Sequence, residues 1–304
     1  MSEKGIEMDA RPIGIFDSGL GGLTMVKKLT EFLPREEIIY LGDTGRVPYG
    51  SRSRETIIKY ARQDAAFLVG FDIKAMVIAC NTVCSVAFDI LDSIYEIPIY
   101  EVVSAPAKAA AACTINGKIG VIGTAATIRS GAYEMALKRI APDLRVISTP
   151  CPLFVPMVEN GRNDASDIAA LTIAGDYLAQ LREAGVDTLI LGCTHYPLLR
   201  EVISKVMGRG VTLIDSGAET AKLVAEDLYA RGMTSSGGAE DLRTGGMASS
   251  GVAEDLRARG MASSGGAKGA TKYFVTDGVD GFSELASRFL ESNVGGMVKQ
   301  ITLE

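Results

Sequence analysis

Short apolar runs recur along this chain, and segments with helical spacing separate most of them. The runs are Ile13–Phe16, Ile38–Leu41, Met76–Ala79, Ile99–Val103, Ile119–Ile122, Val146–Ser148, Leu189–Leu191, Val211–Ile214 and Tyr273–Val275. A strand that is apolar on both faces must be covered on both, as in a parallel sheet between helices. The intervening segments supply that cover. Ile57, Ile58, Ala61, Ala65 and Leu68 fall on one helical stripe, as do Ile168, Leu171, Leu178 and Leu181. The alternation predicts an α/β fold with mainly parallel sheets flanked by helices.

The chain also echoes itself. Ile13-Gly14-Ile15-Phe16-Asp17-Ser18 resembles Ile119-Gly120-Val121-Ile122-Gly123-Thr124, an offset of 119 − 13 = 106. Ala79-Cys80-Asn81-Thr82 and Gly192-Cys193-Thr194-His195 are offset by 193 − 80 = 113. Two similar three-layer α/β domains related by approximate two-fold symmetry are expected.

A second repeat differs in kind. Ala225–Gly238, Ala239–Val252 and Ala253–Gly266 are three units of fourteen residues, each opening Ala-Glu-Asp-Leu and closing near Ser-Ser-Gly. Such a unit carries too little apolar surface to close a core, and the period is shorter than that of helical arrays. The first unit is expected to finish a helix begun near Ala218, with Gly232 as its cap. The others read as an expansion on a surface loop at about 233–270.

At 304 residues and 47% hydrophobic content, the chain can bury two cores. Its net charge of −6 argues against a nucleic-acid partner. No apolar run reaches the roughly 18 residues that a membrane span needs, and the start lacks a signal-peptide pattern. A cytoplasmic enzyme is expected. The five cysteines, Cys80, Cys84, Cys113, Cys151 and Cys193, are odd in number and dispersed, which disfavours a disulfide framework. With one histidine in the chain, no zinc ligand set is expected.

In α/β sheets, ligands gather at the carboxyl ends of strands. Four polar turns fall there: Asp17-Ser18-Gly19-Leu20-Gly21-Gly22, Asp43-Thr44-Gly45-Arg46-Val47-Pro48-Tyr49-Gly50, Cys80-Asn81-Thr82 and Cys193-Thr194-His195. The first is not a dinucleotide fingerprint, since Thr24 stands where the third glycine is needed and Asp17 would repel phosphate. Its glycines would let amides approach a small carboxylate. A thiol at a helix start can serve as a thiolate. A thiol hydrolase needs one cysteine, and a redox pair favours Cys-x-x-Cys, which is absent. Two thiols on opposite sides of a carbon suit a two-base proton transfer that inverts a stereocentre.

These residues carry a family resemblance. The stretches Ile15–Gly22, Gly42-Asp43-Thr44 with Pro48-Tyr49-Gly50, Ala79–Thr82, Thr127–Gly131, Pro156–Glu159, Gly192–Leu198 and Phe274–Asp277 resemble the cofactor-independent glutamate racemases of bacteria, within the aspartate/glutamate racemase family. The resemblance runs from about Pro12 to Leu303, outside the repeats. It implies two pseudo-symmetric domains, residues 11–105 plus 212–304 and residues 106–211, with the active site in the cleft between them. It implies interconversion of L- and D-glutamate for peptidoglycan, with neither cofactor nor metal. By the same resemblance, Cys80 would deprotonate the D-isomer with help from Asp17, and Cys193 the L-isomer with help from His195. Asp43 and Glu159 match further acidic residues of the family. Substrate contacts would fall on Asp17, Ser18, Tyr49, Gly50, Asn81, Thr82, Thr194 and His195, with Thr124 and Thr127 as weaker candidates. Relatives vary in dimer geometry, so a homodimer is compatible with the resemblance. The stretch Glu101–Pro106 departs from the family's pattern at the expected hinge.

Three rivals stay open on sequence. An aspartate racemase would typically place Glu after the second Cys-Thr, where this chain has His195. A small-ligand sensor would not need both thiols. A thiol hydrolase would need only one.

Overall fold

The computed structural model describes residues 9–235 and 269–303. They form two sheets, and every strand pair in them is parallel. The first sheet contains β1 (Ile13–Asp17), β2 (Ile38–Gly42), β3 (Ala75–Ile78), β4 (Ile99–Glu101), β9 (Thr271–Val275) and β10 (Val298–Gln300), in the order β10-β9-β2-β1-β3-β4. The second contains β5 (Lys118–Gly123), β6 (Arg145–Pro150), β7 (Thr188–Gly192) and β8 (Thr212–Asp215), in the order β6-β5-β7-β8. The α/β class with parallel sheets is as the sequence predicts.

The internal echo is visible in the strand register. Ile13 and Phe16 face Ala75 and Ile78 across β1 and β3. Ile119 and Ile122 face Thr188 and Leu191 across β5 and β7, the same register carried by the offsets 106 and 113. The packing repeats as well. A Cβ on Gly14 would meet Ile73 at 2.7 Å and Leu68 at 3.3 Å; a Cβ on Gly120 would meet Leu181 at 3.4 Å and Val186 at 3.5 Å, the residues 113 positions on from Leu68 and Ile73. In each half a glycine on the first strand lets a helix and the loop after it pack against the sheet.

The helices follow local signals. Ser53 caps α2 (Arg54–Val69) by accepting from the Thr56 amide at 3.3 Å. Asp167 caps α8 (Ile168–Ala184) through the amides of Ala169 and Ala170, and Gly185 ends it at φ +68°. These are the helices whose apolar stripes the sequence shows, and in both cases a side-chain oxygen satisfies first-turn amides. Asp215 caps α10 (Ser216–Ala230), after which the amides of Gly232 and Met233 reach back to Tyr229 and Leu228. That pairing, with Gly232 at φ +69°, is a left-handed helix stop of the kind glycine permits.

One boundary differs from the expected division. Residues 212–215 were expected with the first domain, but β8 pairs with β7 in the second sheet. The return to the first sheet runs through α10, which packs against α1 (Leu23–Phe32). At the other crossing, the Glu101 carboxylate accepts from the amides of Val103 (2.5 Å) and Ser104 (2.8 Å) at the start of α4 (Ser104–Cys113). The unusual Glu101 is thus a helix-start acceptor. The second and third fourteen-residue units fall within 236–268, outside the described residues.

Candidate active site

Strand order reverses beside β1 and again beside β5, because the next strands, β2 and β3 or β6 and β7, lie on opposite sides of each. Ligands of open α/β sheets bind at such switch points. The chain leaves β1 at Asp17-Ser18, β3 at Cys80, β5 at Thr124 and β7 at Cys193. Contacts between the halves close these four ends on one another. Thr82 Oγ1 lies 3.0 Å from Thr124 Oγ1, and the Thr24 hydroxyl donates to the Thr194 carbonyl at 3.2 Å. The Tyr133 phenol oxygen lies 2.6 Å from Asn81 Oδ1 and 2.7 Å from the Val102 carbonyl oxygen, and its one proton serves either.

The resulting cavity has a volume of about 640 Å³. Ser18, Tyr49, Gly50, Cys80, Asn81, Thr82, Thr124, Glu159, Cys193, Thr194 and His195 all line it. A thiol from each half therefore faces one space. Asp17, Asp43 and Thr127, also expected at the site, are not among the lining residues. Asp17 lies beneath the floor, 1% exposed, with Oδ2 accepting from the amides of Gly19 (3.2 Å) and Gly22 (3.0 Å). Asp43 is wholly buried behind Tyr49. Thr127 is buried against Thr124, its Oγ1 3.0 Å from that hydroxyl. Sequence reading missed Arg129, which lines the cavity; its only signal was a place in the Thr127–Gly131 stretch. Val47, Pro48, Val155 and Pro156 supply apolar wall.

The two thiols have different surroundings. Cys80 is the N-cap of α3 (Asn81–Asp92), and its Sγ lies 3.4 Å from Ser18 Oγ. Burial, reinforced by the Asp17 charge, pushes its pKa up to about 12, while the Ser18 hydroxyl and the Val83 and Ser18 amides oppose the rise. Near neutrality Cys80 is a protonated thiol. Asp17 is itself raised by burial, against the pull of His195 and the Gly22 and Gly19 amides.

Cys193 has an imidazole for a neighbour. His195 Nε2 lies 3.1 Å from Glu159 Oε1, at the end of α7 (Phe154–Glu159). Burial works to lower the His195 pKa, but Cys193 and Glu159 overcome it and, with Asp17, raise it to about 10. His195 is therefore imidazolium near neutrality, set between Cys193 and the Glu159 carboxylate. Gly21 makes room for it, since a Cβ there would come within 2.0 Å of Thr194 Oγ1 and 2.5 Å of His195 Nδ1.

The other cysteines are separate from this chemistry. Cys84 is buried, with Sγ directed at the Ile78 carbonyl at 3.1 Å, and Cys151 Sγ is directed at the Thr149 carbonyl at 3.7 Å. Among the described residues, no group of three or more His, Cys, Asp or Glu side chains is arranged to hold a metal ion. No described helix is long and apolar enough to cross a membrane.

The comparisons with known proteins make the chain an isomerase of the racemase class. The sequence pattern of the Asp/Glu/Hydantoin racemase family matches residues 13–224, and the chain belongs to that family. It is 46% identical over 297 residues to a glutamate racemase of Geobacter metallireducens, covering 98% of each chain. It is similar to the solved glutamate racemase isoform of Bacillus anthracis, with TM-score 0.82 and 35% identity over 96% of this chain and 97% of that one. A glutamate racemase of Francisella tularensis solved in complex with D-glutamate is similar at TM-score 0.80 and 35% identity, covering 97% of this chain and 99% of that one.

Proposed function

We propose that this protein interconverts L- and D-glutamate by two-base proton transfer between Cys80 and Cys193, and so supplies D-glutamate for peptidoglycan in the cytoplasm. The observation that carries this reading is the pair of thiols, one from each duplicated half, on one cavity. The whole-length similarity to glutamate racemases supports the substrate. His195 two residues after Cys193 also favours glutamate over aspartate.

In the L-to-D direction the Cys193 thiolate takes the α-proton, and the Cα–H electron pair stays on the substrate as a planar carbanion. The Cys80 thiol then gives its proton to the opposite face. One proton is taken and one returned, so the product is the mirror image and the thiols exchange protonation states. Burial suits Cys80 to the acid role in the resting protein, because it holds the thiol protonated. The same burial makes the Cys80 thiolate a strong base toward D-glutamate, with the Ser18 hydroxyl and nearby amides placed to steady it. His195 and Glu159 form the corresponding proton-handling pair beside Cys193. Hydroxyls and amides of Ser18, Asn81, Thr82, Thr124 and Thr194 offer both donors and acceptors to the ammonium and carboxylates.

The test is to incubate the protein with L-glutamate in deuterated water without pyridoxal phosphate, following optical rotation and α-deuterium. Racemisation with deuterium in the product is expected, with L-aspartate left unchanged. Reaction of aspartate but not glutamate would overturn the substrate, and reaction of neither would favour a binding role.

A further inference from the structure

Behind Tyr49 lies a buried group of charges that the proton transfer does not use. Asp43 and Asp64 are both wholly buried there, and Arg46 bridges them. Arg46 Nε donates to Asp43 Oδ2 at 2.5 Å and Nη2 donates to Asp64 Oδ1 at 2.9 Å. The guanidinium is fixed further by Gln63 Oε1 at 2.5 Å and by the Tyr60 ring, 4.1 Å from its centroid. Asp64 comes from the middle of α2.

The phenol of Tyr49 stands between the two carboxyls. It is hydrogen-bonded to Asp43 Oδ2 and lies 3.1 Å from Asp64 Oδ2. A phenol has one proton and can donate to only one of them. Asp43 already has three donors: Arg46, Tyr49 and Thr276 Oγ1 at 2.8 Å. It has the surroundings of an ionised carboxylate. Asp64 has Arg46 on one oxygen and the phenol oxygen against the other. Were Asp64 ionised, that second oxygen would face a lone pair inside the core, which is costly.

We propose that Asp64 is held as a neutral carboxylic acid that donates its proton to Tyr49 Oη, making it the positioning residue for the tyrosine that lines the substrate cavity. The chain of donors then runs from Asp64 to Tyr49 to Asp43, and every member is satisfied. The buried charges balance, one guanidinium against one carboxylate. Burial and the Asp43 charge push the Asp64 carboxyl well above the usual range, outweighing the opposing Arg46 charge and Tyr49 hydrogen bond. The consequence for substrate rests on the reading of Tyr49 as a glutamate contact.

The experiment compares Asp64→Asn, Asp64→Ala and the parent, using glutamate racemisation kinetics and carbon-13 NMR of protein labelled at aspartate carboxyls. Asparagine mimics the neutral acid, since its amide N–H replaces the carboxyl proton and its oxygen still accepts from Arg46. Asp64→Asn is expected to keep KM and kcat within about threefold, and Asp64→Ala to raise KM by about tenfold or more with a smaller effect on kcat. The parent spectrum at neutral pH should contain a protonated aspartate resonance that Asp64→Asn removes. Loss of no such resonance, or an Asp64→Asn variant crippled in KM, would overturn the proposal. If Asp64→Ala fails to fold, the Asp64→Asn comparison and the spectrum still decide. If the parent does not racemise glutamate, the functional reading falls while the spectrum still tests the state of Asp64.

Discussion

His195, the chain's one histidine, is held 3.1 Å from Glu159 on its Nε2 side while its Nδ1 edge packs over the backbone of Gly21. The acid comes from the second half and the glycine from the first, so the imidazole sits at the seam of the duplication.

This arrangement has a pH signature. The folded-state pKa of His195 is raised to about 10, against about 6.5 when unfolded. Stabilisation from the charged form is therefore fully present below about 6.5 and is lost as pH rises through about 10. Glu159→Gln should lower stability at pH 6 and have little effect near pH 10, as measured by denaturant unfolding at both pH values. An equal deficit at both would show that the ion pair does not carry the effect.

The two sides of the cleft should separate in exchange experiments. Asp17 lies under Cys80 and His195 beside Cys193. Asp17→Asn should slow α-proton exchange from D-glutamate more than from L-glutamate, and His195→Asn should do the reverse. Each loss is expected at about 10²-fold, the usual scale for a displaced acid–base partner. The equilibrium ratio of enantiomers cannot change, so initial exchange rates in deuterated water are the proper readout. Equal slowing from both enantiomers would contradict the assignment.

Gly21→Ala tests the seam directly. Its Cβ would fall 2.0 Å from Thr194 Oγ1 and 2.5 Å from His195 Nδ1, so the loop or the imidazole must shift. A stability loss of about 1–3 kcal/mol is expected from such overpacking, with a larger proportional loss of turnover. Thermal unfolding and kcat measured together would check it; a fully active variant would mean the imidazole position is not critical.

Much of this was legible in the sequence. The offsets 106 and 113 between matching segments reappear as identical strand registers, and the close approach of neighbouring side chains to Gly14 and Gly120 repeats with the same offset of 113. Nine of the strands announce themselves as apolar runs, whereas β10, Val298–Gln300, is a short and mostly exposed edge strand with no such run. Cys80 and Cys193 stood out by setting, yet the burial of Cys84 and Cys151 could not be read from spacing. Asp64 was not legible because a single acid within a helical pattern ordinarily faces water; only the fold brings Tyr49 and Arg46 against it.

The second and third fourteen-residue repeats should be dispensable. Where the chain approaches them, the Ser235 amide binds Glu36 Oε1 at 2.8 Å, and on return the Gly269 amide binds the Pro34 carbonyl at 2.9 Å. Both ends are tied to the turn before β2, at the amino end of the first sheet and away from the cleft. Removing residues 239–266 should leave circular dichroism, melting temperature and racemisation nearly unchanged. Aggregation or lost activity would show that the repeats contribute.

The central claim is that one thiol works on each face of the substrate. The most direct measurement is racemisation of L-glutamate in deuterated water by the parent, Cys80→Ala and Cys193→Ala, each confirmed folded by circular dichroism. The account predicts D-glutamate bearing α-deuterium from the parent and no racemisation from either variant. Near-normal racemisation by either variant would contradict it.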